Sequence, residues 1–304
     1  MLNRKSFLLI IWFVIFAFPS CKNREANISA LYSENAITII GSPEQEEAQE
    51  WNDAEEKTVT IVGTPNSGSS TSELGNIPEQ YLPSPLQNVP EQILHRKGYT
   101  VSYNRETMQP NWVAWYLTAE HTDGVYARPS GNAFHVDLDV PEPRADNADY
   151  KGSGWSRGHM CPAGDNKWND EAMYESFLLT NICPQHDRLN SGNWNDIEQE
   201  CRRWAKQYGG IYIVCGPIFY RQEHETIGNN KIPVPEAFFK VVLCLNGPPK
   251  GIGFICKNTE GNRKIDFYVN SINQVERITG LQLFSDLPDN IQLVVKKMAS
   301  LQDW

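Results

Sequence analysis

Trp155-Ser156-Arg157-Gly158-His159-Met160-Cys161-Pro162-Ala163-Gly164-Asp165 is the densest run of chemistry in the chain. It sets a cation, Arg157, and a titratable base, His159, on either side of a glycine expected to let the backbone turn tightly. Arg-Gly-His alone says little, because a single histidine is more often structural than catalytic. The downstream residues add weight: Leu178-Leu179-Thr180-Asn181-Ile182-Cys183-Pro184-Gln185, then Arg188-Leu189-Asn190, then Trp194 and Glu198.

Working outward, a helix is predicted from about Asn193 to Tyr208. Trp194, Ile197, Cys201 and Trp204 recur at helical spacing and Gly209-Gly210 stops it. A second helix starts at Ser271, where Ser271 and Gln274 make a capping box. Strand-like runs lie at Tyr99–Tyr103, Val113–Thr118, Ile211–Cys215, Phe238–Leu245, Ile252–Cys256 and Ile265–Val269. Strands and helices mix without regular β-α alternation, so the expected class is α+β, a mixed central sheet with flanking helices.

In order and spacing these blocks resemble the DNA/RNA non-specific endonucleases, whose ββα-metal (His-Me) finger carries D-R-G-H, then N-x-x-P-Q and L-N-x-x-x-W-x-x-L-E. The likeness runs on through Gly216-Pro217-Ile218-Phe219 to Ile278-Thr279-Gly280-Leu281 and Leu287-Pro288, roughly from Tyr99 to Leu301. The resemblance implies a metal-dependent hydrolase of DNA and RNA phosphodiesters with little sequence preference. It makes His159 the general base, Asn190 the metal ligand, Glu198 a partner of the metal through water and Asn181 a brace of the finger loop. Arg157, Arg202 and, as a weaker match, Arg128 would face phosphate. Ser156 stands where the family motif has Asp, so a charge is missing there.

Elementary chemistry suits that reading. An imidazole titrates near 6.5 and is available as a base at neutral pH. Magnesium, or manganese in its place, takes oxygen ligands and keeps several waters, so one amide oxygen plus a substrate phosphate can hold it. Guanidinium groups match phosphate oxygens, and phosphate contacts carry no base information. On a helix Glu198 and Arg202 share a face distinct from the apolar stripe; without the resemblance they would read as a surface ion pair.

The 304-residue chain carries a net charge of −10, which argues against a broadly basic nucleic-acid-binding surface. The acidity is uneven, with −8 in residues 22–90 and only −4 in residues 91–304. Residues 1–21 read as a signal peptide ending in Phe18-Pro19-Ser20-Cys21, similar to a lipobox, so Cys21 would be lipidated and membrane-attached. Residues 22–90 read as an acidic flexible tether with one short strand at 58–62, and residues 91–304 as the nuclease domain. The setting expected is export, to a bacterial periplasm or outer membrane.

Export would expose Cys161, Cys183, Cys201, Cys215, Cys244 and Cys256 to oxidation, so disulfides are an expectation too. His121, His135, His186 and His224 are not paired at metal spacing and read as structural, while Trp112, Trp115 and Trp194 read as core. Two other functions stay open at this point: a phosphodiesterase of small phosphoesters, and a non-catalytic nucleic-acid-binding lipoprotein.

Overall fold

The computed structural model describes residues 77–304. The signal peptide, the lipid site at Cys21, the strand at 58–62 and most of the acidic tether lie outside these residues.

The strands are β1 (Gln92–His95), β2 (Thr100–Asn104), β3 (Gln109–Leu117), β4 (Ser156–His159), β5 (Ile182–Gln185), β6 (Ile211–Ile218), β7 (Thr226–Ile227), β8 (Ile232–Pro233), β9 (Ala237–Cys244), β10 (Lys250–Lys257) and β11 (Val269–Asn270). The α-helices are α1 (Ala119–Thr122), α2 (Asn147–Tyr150), α3 (Asp170–Glu175), α4 (Asp187–Ser191), α5 (Asn193–Tyr208), α6 (Ile272–Thr279) and α7 (Asp289–Val295). Seven strands form one antiparallel sheet in the order β1-β2-β3-β6-β9-β10-β11, while β4 pairs with β5 and β7 with β8 as separate two-stranded ribbons. The architecture is α+β, as the sequence predicts.

The sheet is covered on both faces. On one side Val113, Trp115, Ile213, Phe238 and Phe254 pack against Trp194, Ile197, Cys201 and Trp204 of α5 and against Met160 and Leu189 of the small ribbon's surroundings. On the other, Trp112, Ala114, Val214, Phe239 and Val241 pack against Ile272, Val275 and Ile278 of α6 and against Leu283, Phe284 and Val295. Each such large side chain taken out of water stabilises the fold by roughly 1.5–3 kcal/mol before conformational entropy is counted. The predicted stripe of α5 is the buried one, and the helix ends at Gly209 in the left-handed conformation (φ 81°). The Ser271–Gln274 capping box forms as well.

Two local expectations change and one strand is unanticipated. Ile265–Val269 is not a strand: Ile265–Tyr268 makes a 3-10 turn closed by Phe267 N–H donating to the Lys264 carbonyl, and only Val269–Asn270 reaches the edge of β10. The edge strand β1 had no pattern to announce it, because only Leu94 of its four residues is buried. Residues 77–90, assigned to the tether, pack on the body: Ile77 is buried in the back core, and Ser84 N–H donates to the Gln282 carbonyl at 2.9 Å.

The disulfide expectation is also corrected, since all six described cysteines are free and buried. They face the α5 side of the sheet, filling space as small apolar side chains.

Candidate active site

β4 and β5 align Ser156 with Gln185 and His159 with Ile182. Gly158 lies inside β4 and not in a turn, and a Cβ there would overlap the Gln185 side chain. Its lack of a side chain therefore serves a close cross-strand approach, which corrects the tight-turn reading. The ribbon is tied to α5 by the Trp194 indole, which donates to the His159 carbonyl at 3.2 Å. β5 leads into α4, which carries Asn190, and Gly192 then starts α5 with Glu198 and Arg202.

Asn181 is fully buried and does not line the cleft. Its amide donates to the Cys161 and Ser176 carbonyls, both at 2.8 Å, and its oxygen accepts from Cys161 N–H at 2.9 Å, so it fixes the loop that follows His159. The remaining sequence-nominated residues, Arg128, Arg157, His159, Asn190, Glu198 and Arg202, line one cleft of about 410 Å³.

The His159 ring is mostly buried, 5.1 Å from the rings of both Phe134 and Phe177, and its Nε2 has no protein hydrogen-bond partner. Burial, with Arg128 nearby, pushes its pKa down to about 3. The shift favours the neutral imidazole, and Nε2 lies out of contact with solvent.

Burial pushes Glu198 the other way, up to about 7, against the pull of Lys240 and Arg202. Arg202 reaches Asp165 at 2.7 Å and Glu198 at 3.9 Å, and Asp165 also accepts from the Trp115 indole at 3.1 Å. Burial raises Asp165 above the usual carboxylate range despite that arginine. Beneath them Lys240 is fully buried, its ammonium 4.4 Å from the Trp194 ring centroid and 5.0 Å from that of Trp115. Desolvation opposes the Lys240 charge, but Cys215, Glu198, Cys201 and Asp165 together hold its pKa above the usual value.

Among the described residues no group of three or more His, Cys, Asp or Glu could hold a metal ion. The Asn190 side chain lines the cleft without a protein hydrogen bond among the described residues, which suits a single oxygen ligand for a hard cation that keeps most of its water.

Ser156 donates to Asp187 at 3.0 Å, so a carboxylate from the start of α4 stands beside the position that lacks the motif's Asp. The other histidines have structural partners. His121 accepts from Thr118 N–H, His186 caps α4, His224 pairs with Glu236 at 2.8 Å, and His135 stacks on Tyr174.

Sequence reasoning passed over Asp165, Lys240 and Phe134. Lys240 had a visible signal, a lone charge in the apolar run Ala237–Cys244. Asp165 closes the opening motif without a role there, and Phe134 had no signal because its importance lies in contacts across the fold.

A ββα finger set against a larger antiparallel sheet, with a histidine and an asparagine at one cleft, defines a class of hydrolytic nuclease folds. The sequence model of the DNA/RNA non-specific endonucleases matches residues 79–290, and the chain belongs to that family. It is 34% identical over 218 residues to the mitochondrial nuclease EXOG of Danio rerio, covering 66% of this chain and 63% of the relative. It is 32% identical over 204 residues to the mitochondrial endonuclease G of Bos taurus, covering 62% of this chain and 68% of that one. The chain thus spans about three fifths of the length of the EXOG relatives it matches. A solved structure of the EndoG/EndoGI complex, described as showing the mechanism of EndoG inhibition, aligns with TM-score 0.63 and 27% identity, covering 69% of this chain and 92% of that one. Because the named relatives are mitochondrial nucleases, the expectation of a bacterial periplasmic or outer-membrane protein is overturned, and the finding points towards mitochondria.

Proposed function

We propose that this protein is a metal-dependent endonuclease that hydrolyses phosphodiester bonds of DNA and RNA with little sequence preference. The observation that carries the reading is the His159 imidazole set in one cleft with Asn190, Arg128, Arg157 and Arg202.

In this reading a water oxygen attacks phosphorus while the His159 imidazole takes its proton, and the bond to the 3′-oxygen breaks, the departing alkoxide taking a proton from solvent, which leaves 5′-phosphate and 3′-hydroxyl ends. Arg128 and Arg157 pair with the phosphoryl oxygens as their negative charge grows. Asn190 would hold magnesium or manganese directly and Glu198 through water; when bound, the ion supplies Lewis-acid stabilisation to the phosphate and the leaving oxygen. Arg202, held by Asp165, keeps Glu198 in place at the cleft wall. With cationic groups addressed to phosphate, low base specificity follows.

The test is digestion of supercoiled plasmid and of RNA by the purified protein with magnesium, beside His159→Ala. Cleavage of both substrates by wild type alone supports the proposal. Hydrolysis of only a small diester such as bis(p-nitrophenyl) phosphate would replace it with a small-phosphoester enzyme, and binding without turnover would replace it with a non-catalytic role.

A further inference from the structure

Two of the three cleft arginines are held differently from the third. Arg202 is neutralised by Asp165 and Glu198, whereas Arg128 and Arg157 form no salt bridge among the described residues. Two like charges lining one cleft repel each other, and something other than carboxylate must keep them there before substrate arrives. The Arg157 guanidinium carbon lies 4.7 Å from the Phe134 ring centroid, and that of Arg128 lies 5.9 Å from Phe134 and 5.2 Å from Phe177.

Phe134 grips Arg157 a second way. Its carbonyl accepts from the Asn147 amide at 2.7 Å, and the Asn147 oxygen accepts from Arg157 at 2.5 Å. The same ring lies against the His159 imidazole and edge-on to Phe177 at 5.3 Å.

We infer that Phe134 is the positioning residue of this cleft: its ring holds Arg128 and Arg157 beside His159 while leaving their charge free for a phosphodiester. The physical basis is the negative face of an aromatic ring, which attracts a guanidinium without neutralising it. A carboxylate could hold the arginines as well, but it would compete with phosphate for them. Amides from Asn132, at 3.2 Å, and Asn147 complete the support of Arg157 with neutral groups only. The inference rests on the proposed function for the identity of the ligand, though not for the arrangement of the side chains.

The experiment replaces Phe134 with mono-, di- and trifluorophenylalanine, which preserve its shape while draining the ring face of negative charge. Phe134→Tyr and Phe134→Leu accompany the series. In the first readout, the full-length protein binds a fluorescein-labelled oligothymidylate in EDTA, where no metal-dependent cleavage occurs. In the second, kcat and KM are measured on RNA with magnesium. Oligonucleotide affinity and kcat/KM are expected to fall stepwise with each fluorine, to about tenfold at trifluorophenylalanine, with Tyr close to wild type and Leu as weak as the trifluoro variant. Unchanged thermal midpoints across the series would separate this from unfolding. An unaffected trifluoro variant, or a loss in Leu alone, overturns the inference, because both mean that Phe134 acts only by filling space. A graded loss of oligonucleotide binding in a protein that never cleaves would uphold the inference while ending the nuclease reading.

Discussion

Strand β9 offers an internal comparison. Phe239, Val241 and Leu243 enter the back core of apolar and aromatic side chains; Phe238, Lys240, Val242 and Cys244 alternate with them and face α5. Both sides of this strand are dry, yet only the second carries buried charge, with Lys240 beneath Asp165, Glu198 and Arg202. Buried charge brings a desolvation penalty that apolar residues of similar size avoid, and on this strand only the face towards the cleft carries it. The two faces share the same backbone, and substitutions on either side should therefore separate stability from catalysis.

The largest separation is expected from His159→Ala. It should lower kcat about 10²–10⁴-fold while leaving the circular dichroism spectrum and melting temperature near wild type; a variant that keeps wild-type turnover would remove the base assignment. Phe239→Ala, on the opposite face, should cost about 3–5 kcal/mol in denaturant unfolding while the folded fraction retains its specific activity. Lys240→Met sits between these extremes. It should reduce turnover by a larger factor than it reduces stability, and equal losses in the two measurements would make Lys240 an ordinary core residue.

A smaller effect concerns pH. His159 has a folded pKa of about 3, below the unfolded value near 6.5, so its contribution to stability is present above about 6.5 and is lost as pH falls towards 3. Glu198 has a folded pKa of about 7, above the unfolded value near 4.5, so it destabilises as pH rises between those values. Between pH 4.5 and 6.5 the two slopes oppose each other, so these two groups together leave metal-free stability nearly unchanged. Glu198→Gln should expose the His159 slope, up to about 1.4 kcal/mol per pH unit, in urea titrations with EDTA. A flat profile in that variant would mean that the imidazole is not held neutral. The smallest change is expected from Ser156→Ala, which removes an exposed bond to Asp187 and should shift stability by under about 1 kcal/mol; a large loss of activity there would give that bond a role in the chemistry.

How legible all this was depended on how local the signal is. The α5 stripe, the central strands and the Ser271 cap could be read because periodicity and capping involve neighbours in sequence. His159, Asn190, Glu198 and Arg202 could be read because motif order survives in one chain, and the fold brings them to one cleft. Phe134 could not, since its contacts reach Arg128, Arg157, Phe177 and His159 across separate segments. Gly158 was visible as a glycine, but the reason for it, the Gln185 side chain opposite, emerges only when the strands pair. Residues 77–90 deceived because sparse apolar anchors such as Ile77 follow no regular spacing.

One consequence follows from where the thiols lie. All six described cysteines belong to the core layer beneath the cleft and none to the back layer. A thiol reagent can therefore reach these six sulfurs only when that one layer breathes open, while openings confined to the back layer leave them silent. The molecule carries its own stopwatch for fluctuations of the layer under the cleft, with the pace of each modification set by how often the segment covering that sulfur lets water in.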